Sequence, residues 1–483
     1  MPGKEKYIVA IDAGTTSIRV FCYDQNLKIV QKVQQEFKQH YPKPGWVEHD
    51  AAEIWQVTKR LLDQVLEGRS QDVAAIGITN QRETTVMWNK KTGKPAHRAI
   101  VWQCRRTADE CERLKQKGIE KLIQSKTGLV CDAYFSGTKI KWILDHIKGP
   151  KKDLLFGTID SWLIWNLTSG GVHATDFTNA SRTMLYNIRK HDWDSELAKE
   201  LNVPAHILPA VQNSQDDFGT YNGIPIAGVA GDQQAALFGR GAVKQGAAKN
   251  TYGTGCFLLM NTGNEFIRSK NGLITTLTPD KDGRPLFALE GSVFIGGAVV
   301  QWLRDELKLI KNAEQTEKIA NSVAGTQGVY VVPAFAGLGA PHWNQDARGI
   351  ITGLTRGANK NHIIRAALES IAFQVYDLVR AMESDAKIKI KDLAVDGGAS
   401  SNNFLMQFQA DIMQLPINRP QDRETTVLGA ALLAGLKVGF WSSPSVISEL
   451  RKIEKVFKPN MTVAQQEQHI SGWSKAIRQV QAE

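Results

Sequence analysis

Two stretches far apart in the chain share one layout, and that layout restricts the fold more than any other feature. Residues 7–11 are apolar and short, Asp12-Ala13-Gly14-Thr15-Thr16-Ser17 is a turn of small and polar residues, and residues 18–23 alternate like a returning strand. Residues 247–252 lead in the same way into Gly253-Thr254-Gly255, and residues 256–260 lead out. A related element follows late: residues 393–395 run into Asp396-Gly397-Gly398-Ala399, and a helix is predicted over 402–415, with Asn402 a good N-cap. Turns of one kind in both halves predict two related halves. The boundary is expected near residue 245, giving domains 1–245 and 246–483.

Helical patterns lie between these strands. Asp50-Ala51-Ala52-Glu53 matches a capping box and opens a predicted helix running to about Leu66. Apolar residues recur at three- and four-residue spacing over 362–382, the longest predicted helix, and another is predicted over 294–309. The last stretch is polar and predicted helical. Strands alternating with helices place the chain in the α/β class.

Composition excludes several functions. No apolar run approaches the ~18–20 residues that span a bilayer, and residues 1–6 lack the layout of a secretion signal, so a cytoplasmic protein without a membrane span is expected. The five cysteines are scattered, without CxxC or zinc spacing, and are expected to be free buried thiols. The net charge of +10 is dispersed; its densest stretches, 148–152, 387–391 and 451–458, lack the interleaved aromatics of a nucleic-acid groove and are read as solvated faces. The ten histidines form no HxxH or HExxH pattern, and His49 and His146 are expected to be structural.

Four polar runs carry candidate chemistry. In the first turn, backbone N–H groups and the hydroxyls of Thr15, Thr16 and Ser17 suit an anion, Asp12 can serve Mg²⁺, and Arg19 can face phosphates; a plain polar hairpin turn is the alternative. Gly253-Thr254-Gly255 supplies a second phosphate turn, while Gly397-Gly398 lets a nucleotide approach the backbone and Asn402 can bond its base or cap its helix. Residues 77–85, GITNQRETT, follow a predicted strand at 74–78; Arg82 and Glu83 there suit a polyol, or form a salt-bridged surface loop. Asp232, after a strand at 224–229, can accept a hydroxyl proton or simply cap the helix 233–238. Trp102, Tyr134 and Phe257 can wall a small pocket or belong to the core.

Together these runs resemble the FGGY carbohydrate kinase family. Residues 134–146 (YFSGTKIKWILDH) and 349–369 (GIITGLTRGANKNHIIRAALE) look like its two signatures. GITNQRETT, AIVWQCRRT, TNASRTML, AGDQQAALFG, NTYGTGCF and VDGGASSNNFLMQFQAD are similar to the members that phosphorylate glycerol. The resemblance implies two actin-like (RNase H-like) ATPase domains flanking a central cleft. It also implies ATP and Mg²⁺, glycerol as the acceptor, and a homo-oligomer, dimer or tetramer. By resemblance Arg82, Glu83, Tyr134, Asp232 and Gln233 would hydrogen-bond glycerol, with Trp102 and Phe257 as walls and Asp232 as general base. Thr15, Thr16, Ser17, Arg19, Thr254, Gly297, Gln301, Gly398 and Asn402 would hold ATP, and Asp12 the metal.

Three departures from the family pattern stand out. Ala13 replaces a common Gln. The loop after Phe218 reads GTYNG, without the Gly/Arg-rich insertion or the modifiable His of some relatives, so neither form of regulation is expected. The loop after His146 is short. A sister kinase for another polyol or ketose is the nearest alternative, and an actin- or Hsp70-like ATPase a more distant one.

Overall fold

The computed structural model describes residues 6–335, 337–344, 346–422, 424–443 and 452–481. The remarks above on residues 1–5 and on Arg451 fall outside the described residues.

Each half builds one sheet on the same plan. In the first, Tyr7–Ala13, Ser17–Tyr23 and Ile29–Glu36 pair antiparallel in sequence order. The first of these then pairs parallel with Val73–Asn80, which pairs parallel with Ile224–Gly231. In the second, Ala248–Tyr252, Cys256–Gly263 and Pro285–Val293 form the antiparallel set. Ala248–Tyr252 pairs parallel with Leu393–Asp396, and that strand with Ile417–Pro420. The repeat expected from the two turns is therefore a repeat of strand order, not only of turns. Both turns close tightly, with Gly14 N donating to Ser17 O at 3.0 Å and Gly253 N to Gly255 O at 2.9 Å. GTYNG is a hairpin between Thr220–Tyr221 and Ile224–Gly231. Asn222 and Gly223 both take positive φ there, as a two-residue hairpin turn requires.

Local signals set most helices. Asp50 caps Ala51–Leu66 by accepting from Ala52 N and Glu53 N. The capping box is only half formed, because Glu53 accepts from Lys38 N instead. The longest helix is Lys360–Ala386, opened by a reciprocal Asn359/His362 cap, and the last is Val463–Gln481. The helix predicted over 294–309 is shorter, Ala298–Asp305. Its expected start is spent on another contact: Gly296 N and Gly297 N donate to the carbonyls of Thr254 and Gly253. All five cysteines are free and buried. No described helix is long and apolar enough to cross a membrane.

A helix from the second half crosses to the first. The helix Thr425–Lys437 follows all but the last of the second sheet's strands in sequence, yet Val427, Ala430, Ala431 and Ala434 pack with Ile8, Ala10, Ala75 and Ala227 of the first. Small residues permit the approach. A Cβ on Gly77 would stand 2.2 Å from Ala430 O, and one on Gly429 would stand 1.9 Å from Ala235 O. A Gly77→Ala substitution is therefore expected to destabilise the protein by about 1–3 kcal/mol through overpacking. A lowered urea midpoint would register it; an unchanged midpoint would mean the helix can retreat freely.

Candidate active site

The register of the first sheet brings three chain segments to one edge. Asp12 lies level with Thr79, and Thr79 with Ala230; Ala13, Asn80 and Gly231 are level one residue on. The chain leaves all three strands here, into the Gly14–Ser17 turn, into Gln81-Arg82-Glu83, and into Asp232. Ligands of open α/β sheets bind at such carboxyl ends. Hydrogen bonds tie the segments together: Gln81 N donates to Ala13 O at 2.8 Å and Gln81 Nε2 to Gly14 O at 3.0 Å.

In the first turn, Thr16 is exposed while Thr15 and Ser17 are half-buried. The Thr15 hydroxyl accepts from Trp102 Nε1 at 3.0 Å. Arg19 stands opposite Asp12 in register and bonds its Oδ2. Its Nη1 also reaches Glu424 Oε2 at 2.5 Å, so it joins the turn to the second half of the chain. Burial lifts the Asp12 carboxyl above its ordinary value against the pull of Arg19.

Arg82 and Glu83 are buried, not on a surface loop. Arg82 grips Glu290 with Nη1 at 2.6 Å and Nη2 at 3.1 Å, and its Nε lies 3.1 Å from Asp232 Oδ1. Arg182 bonds the same Glu290 at 3.0 Å and Glu83 at 2.6 Å. Burial alone would raise the Glu290 carboxyl, but the two guanidiniums overcome it and hold it at about 2. Glu83 is also strained. Its φ is +60°, and Thr84 N donates to Arg82 O at 2.7 Å across it. That is a γ-turn of the rare positive-φ hand, costing about 1–3 kcal/mol.

Asp232 is the first residue of the helix Asp232–Gly239, and Gly231 occupies the cap position. The carboxylate therefore does not cap. It accepts from Gln233 N at 2.7 Å and keeps 31% of its side chain exposed. Burial in the cleft raises it to about 6, with Arg82 opposing. Gln233 Oε1 accepts from Lys249 Nζ at 3.1 Å. The second sheet supplies the facing wall. Lys249, Thr251, Phe257 and Glu290 share one face, because cross-strand partners and second neighbours point the same way. Phe257 is half-buried, as are Trp102 and Tyr134, whose rings meet edge-on at 5.6 Å.

The remaining predicted residues gather in the second half. Thr254, Gly297, Gln301, Gly398 and Asn402 all line one cavity of about 820 Å³. Gly398 faces open space, while Gly397 takes φ +84° with its Cβ position 2.5 Å from Tyr252 O. The Asn402 side chain caps Asn403–Met413 through Leu405 N and donates to Thr316 Oγ1 at 3.1 Å. The strand Ala248–Tyr252 links the two groups: Lys249 touches Gln233, and the strand runs directly into Gly253-Thr254.

Sequence reading missed Arg182, Glu290 and Lys249 as members of this cluster. The available signal was a charge inside a strand-like run, as in PLFALEGSV and AKNTY.

The FGGY family of carbohydrate kinases matches along most of the chain, its N-terminal domain at residues 7–239 and its C-terminal domain at 248–438. The glycerol kinase of Alkaliphilus oremlandii is 58% identical over 98% of this chain and 97% of that protein. The crystal structure of Plasmodium falciparum glycerol kinase with ADP superposes with a TM-score of 0.93 at 39% identity, covering 99% of this chain and 98% of that one. A gluconate kinase from Lactobacillus acidophilus, at 22% identity and TM-score 0.88, shares the fold.

Removing Glu290 would leave two buried guanidiniums without their common partner. Glu290→Gln is expected to cost about 3–5 kcal/mol of stability, seen as a lower denaturant midpoint. Because the folded pKa is depressed to about 2 from 4.5, this contribution is complete above pH 4.5 and lost as pH falls toward 2. A variant as stable as wild type at pH 7 would deny the cluster this role.

Proposed function

The chain belongs to the FGGY family of carbohydrate kinases, and from that premise we propose that it transfers the γ-phosphoryl group of ATP to glycerol, giving sn-glycerol 3-phosphate and ADP, the entry step of glycerol catabolism. It is an ATP-dependent kinase. The observation that carries the glycerol reading is the level register of three parallel strands, which sets the Asp12 turn, Arg82-Glu83 and Asp232 side by side.

In this reading Arg82, Glu83, Tyr134, Asp232 and Gln233 bond the three hydroxyls of glycerol, and Trp102 and Phe257 wall its carbon face. Buried polar groups left unpaired by a wrong substrate give strong rejection. Thr15, Thr16, Ser17 and Arg19 hold the terminal phosphates. The nucleotide lies in the cavity lined by Thr254, Gly297, Gln301, Gly398 and Asn402. Asp232 accepts the proton of the attacking hydroxyl, for which a carboxyl poised near 6 suits a neutral medium.

The donor set fits Mg²⁺. Among the described residues no group of three or more side chains gathers as a metal cage, and Mg²⁺ bound to a nucleotide needs only one or two carboxylates beside phosphate and water. Both Arg19 contacts fall on Asp12 Oδ2, so Asp12 would have its other oxygen to offer when the ion is bound. The ion would neutralise charge on the transferring phosphoryl group.

Purified protein with ATP and Mg²⁺ should release ADP with glycerol far faster than with xylulose, gluconate or no acceptor. Stimulation by a ketose and not by glycerol would overturn the acceptor. The base must be ionised, so kcat/KM should fall as pH drops through about 6 and level off above it. Asp232→Asn should abolish that limb and lower kcat by about 10²–10⁴; near-normal kcat would remove Asp232 from the base role.

A further inference from the structure

The run YFSGTKIKWILDH contributes Tyr134 to the proposed acceptor site, but the first of its two lysines, Lys139, is given no part there. Lys139 lies in the helix Ser136–His146, whose opening residues are buried. Gly137 lets this helix start press on the segment around Thr183, since a Cβ there would stand 2.7 Å from Thr183 O. Helical side chains lean toward the N-terminus, and Lys139 Nζ accordingly reaches back to donate to Tyr134 O at 2.6 Å. A second bond runs to Glu83 O at 3.3 Å. The side chain is wholly buried, a costly place for an ammonium group. Burial pulls its pKa down to about 7, with Glu83 acting in the opposite direction.

The two carbonyls belong to segments that are distant in sequence and adjacent in the site. Glu83 sits in the positive-φ turn described above, and such backbone persists only where its surroundings over-determine it. Ser136 Oγ donates to the same Glu83 carbonyl at 3.0 Å, and Arg182 holds the carboxylate at 2.6 Å. Lys139 thus donates to the backbone carbonyls of both Glu83 and Tyr134, while Arg182 meets the same two residues through their side chains, bonding the Glu83 carboxylate and lying over the Tyr134 ring at 5.7 Å.

We propose that Lys139 is a positioning residue for the acceptor: by bonding both carbonyls it holds Glu83 in its strained turn and fixes the spacing between Glu83 and Tyr134. The inference rests on the acceptor site assigned above. Without those donors the turn relaxes toward negative φ, which swings the Glu83 carboxylate out of line. The loss falls on acceptor binding and leaves the nucleotide cavity alone, because that cavity is built by the second sheet and its helices.

The test is Lys139→Met, which keeps the aliphatic stem and removes the donors, assayed with glycerol and ATP varied separately. KM for glycerol should rise roughly ten- to a hundred-fold, while KM for ATP stays within about twofold. An unchanged glycerol KM, or both KM values rising together, overturns the proposal. If this variant does not fold, Ser136→Ala removes the neighbouring bond to the same carbonyl and should show the same split, a few-fold in size. A crystal structure of either variant should show Glu83 shifted from its positive φ; an unmoved turn overturns the proposal. A wild-type enzyme that ignores glycerol but phosphorylates another polyol sinks the acceptor assignment alone, and the same kinetic split with that polyol then decides the role of Lys139.

Discussion

The carboxylate of Glu290 comes from the second sheet, while both arginines that hold it come from the first half of the chain. Arg82 and Arg182 repel one another in a dry space, and a shared carboxylate makes their proximity tolerable. In turn Arg82 reaches Asp232, and Arg182 reaches Glu83. The groups that face the cleft are thus suspended from one buried ion cluster. Edge strand Ile274–Pro279 reinforces it, with Thr276 bonding Ser181 and Gln234 at 3.2 Å. Buried ion pairs are a weak source of net stability but are strongly disruptive when broken in half, so the cluster acts mainly on geometry.

Much of the fold could be read from local pattern. The two small-residue turns, the alternating strands beside them and the Asp50 and Asn402 caps depend on neighbours a few residues away, and such chemistry is visible in a string of letters. The helix start near Phe294 could not be read, because Gly296 and Gly297 spend their N–H groups on a turn some forty residues earlier, at about the separation over which periodicity carries no information. Asp232 could be read from sequence as a cap or as a proton acceptor, because acidic residues favour the cap position; Gly231 holds that position and leaves the carboxylate to face the cleft.

The candidate site divides along the same line. Arg82, Glu83 and Asp232 stand in polar runs at strand ends and were legible as a candidate ligand site. Their partners were not: Glu290 lies 208 residues from Arg82 and 108 from Arg182, inside a strand otherwise chosen for burial. The polar runs mark the groups that meet at the strand ends. Which groups hold them in place is decided by register and by pairing across sheets, and only the folded chain brings these together.

The helix Thr425–Lys437 has a consequence for how the protein is made. It roofs the first sheet, over Ile8, Ala10, Ala75 and Ala227, yet a ribosome delivers it only after most of the second sheet. During synthesis the first half therefore emerges with an apolar face still open, the state in which nascent chains need shelter from one another. The halves repeat each other in strand order, but they are not exchangeable parts. A gene cut between the two sheets would encode a first half without its lid, because a helix made late in synthesis covers strands made at its start.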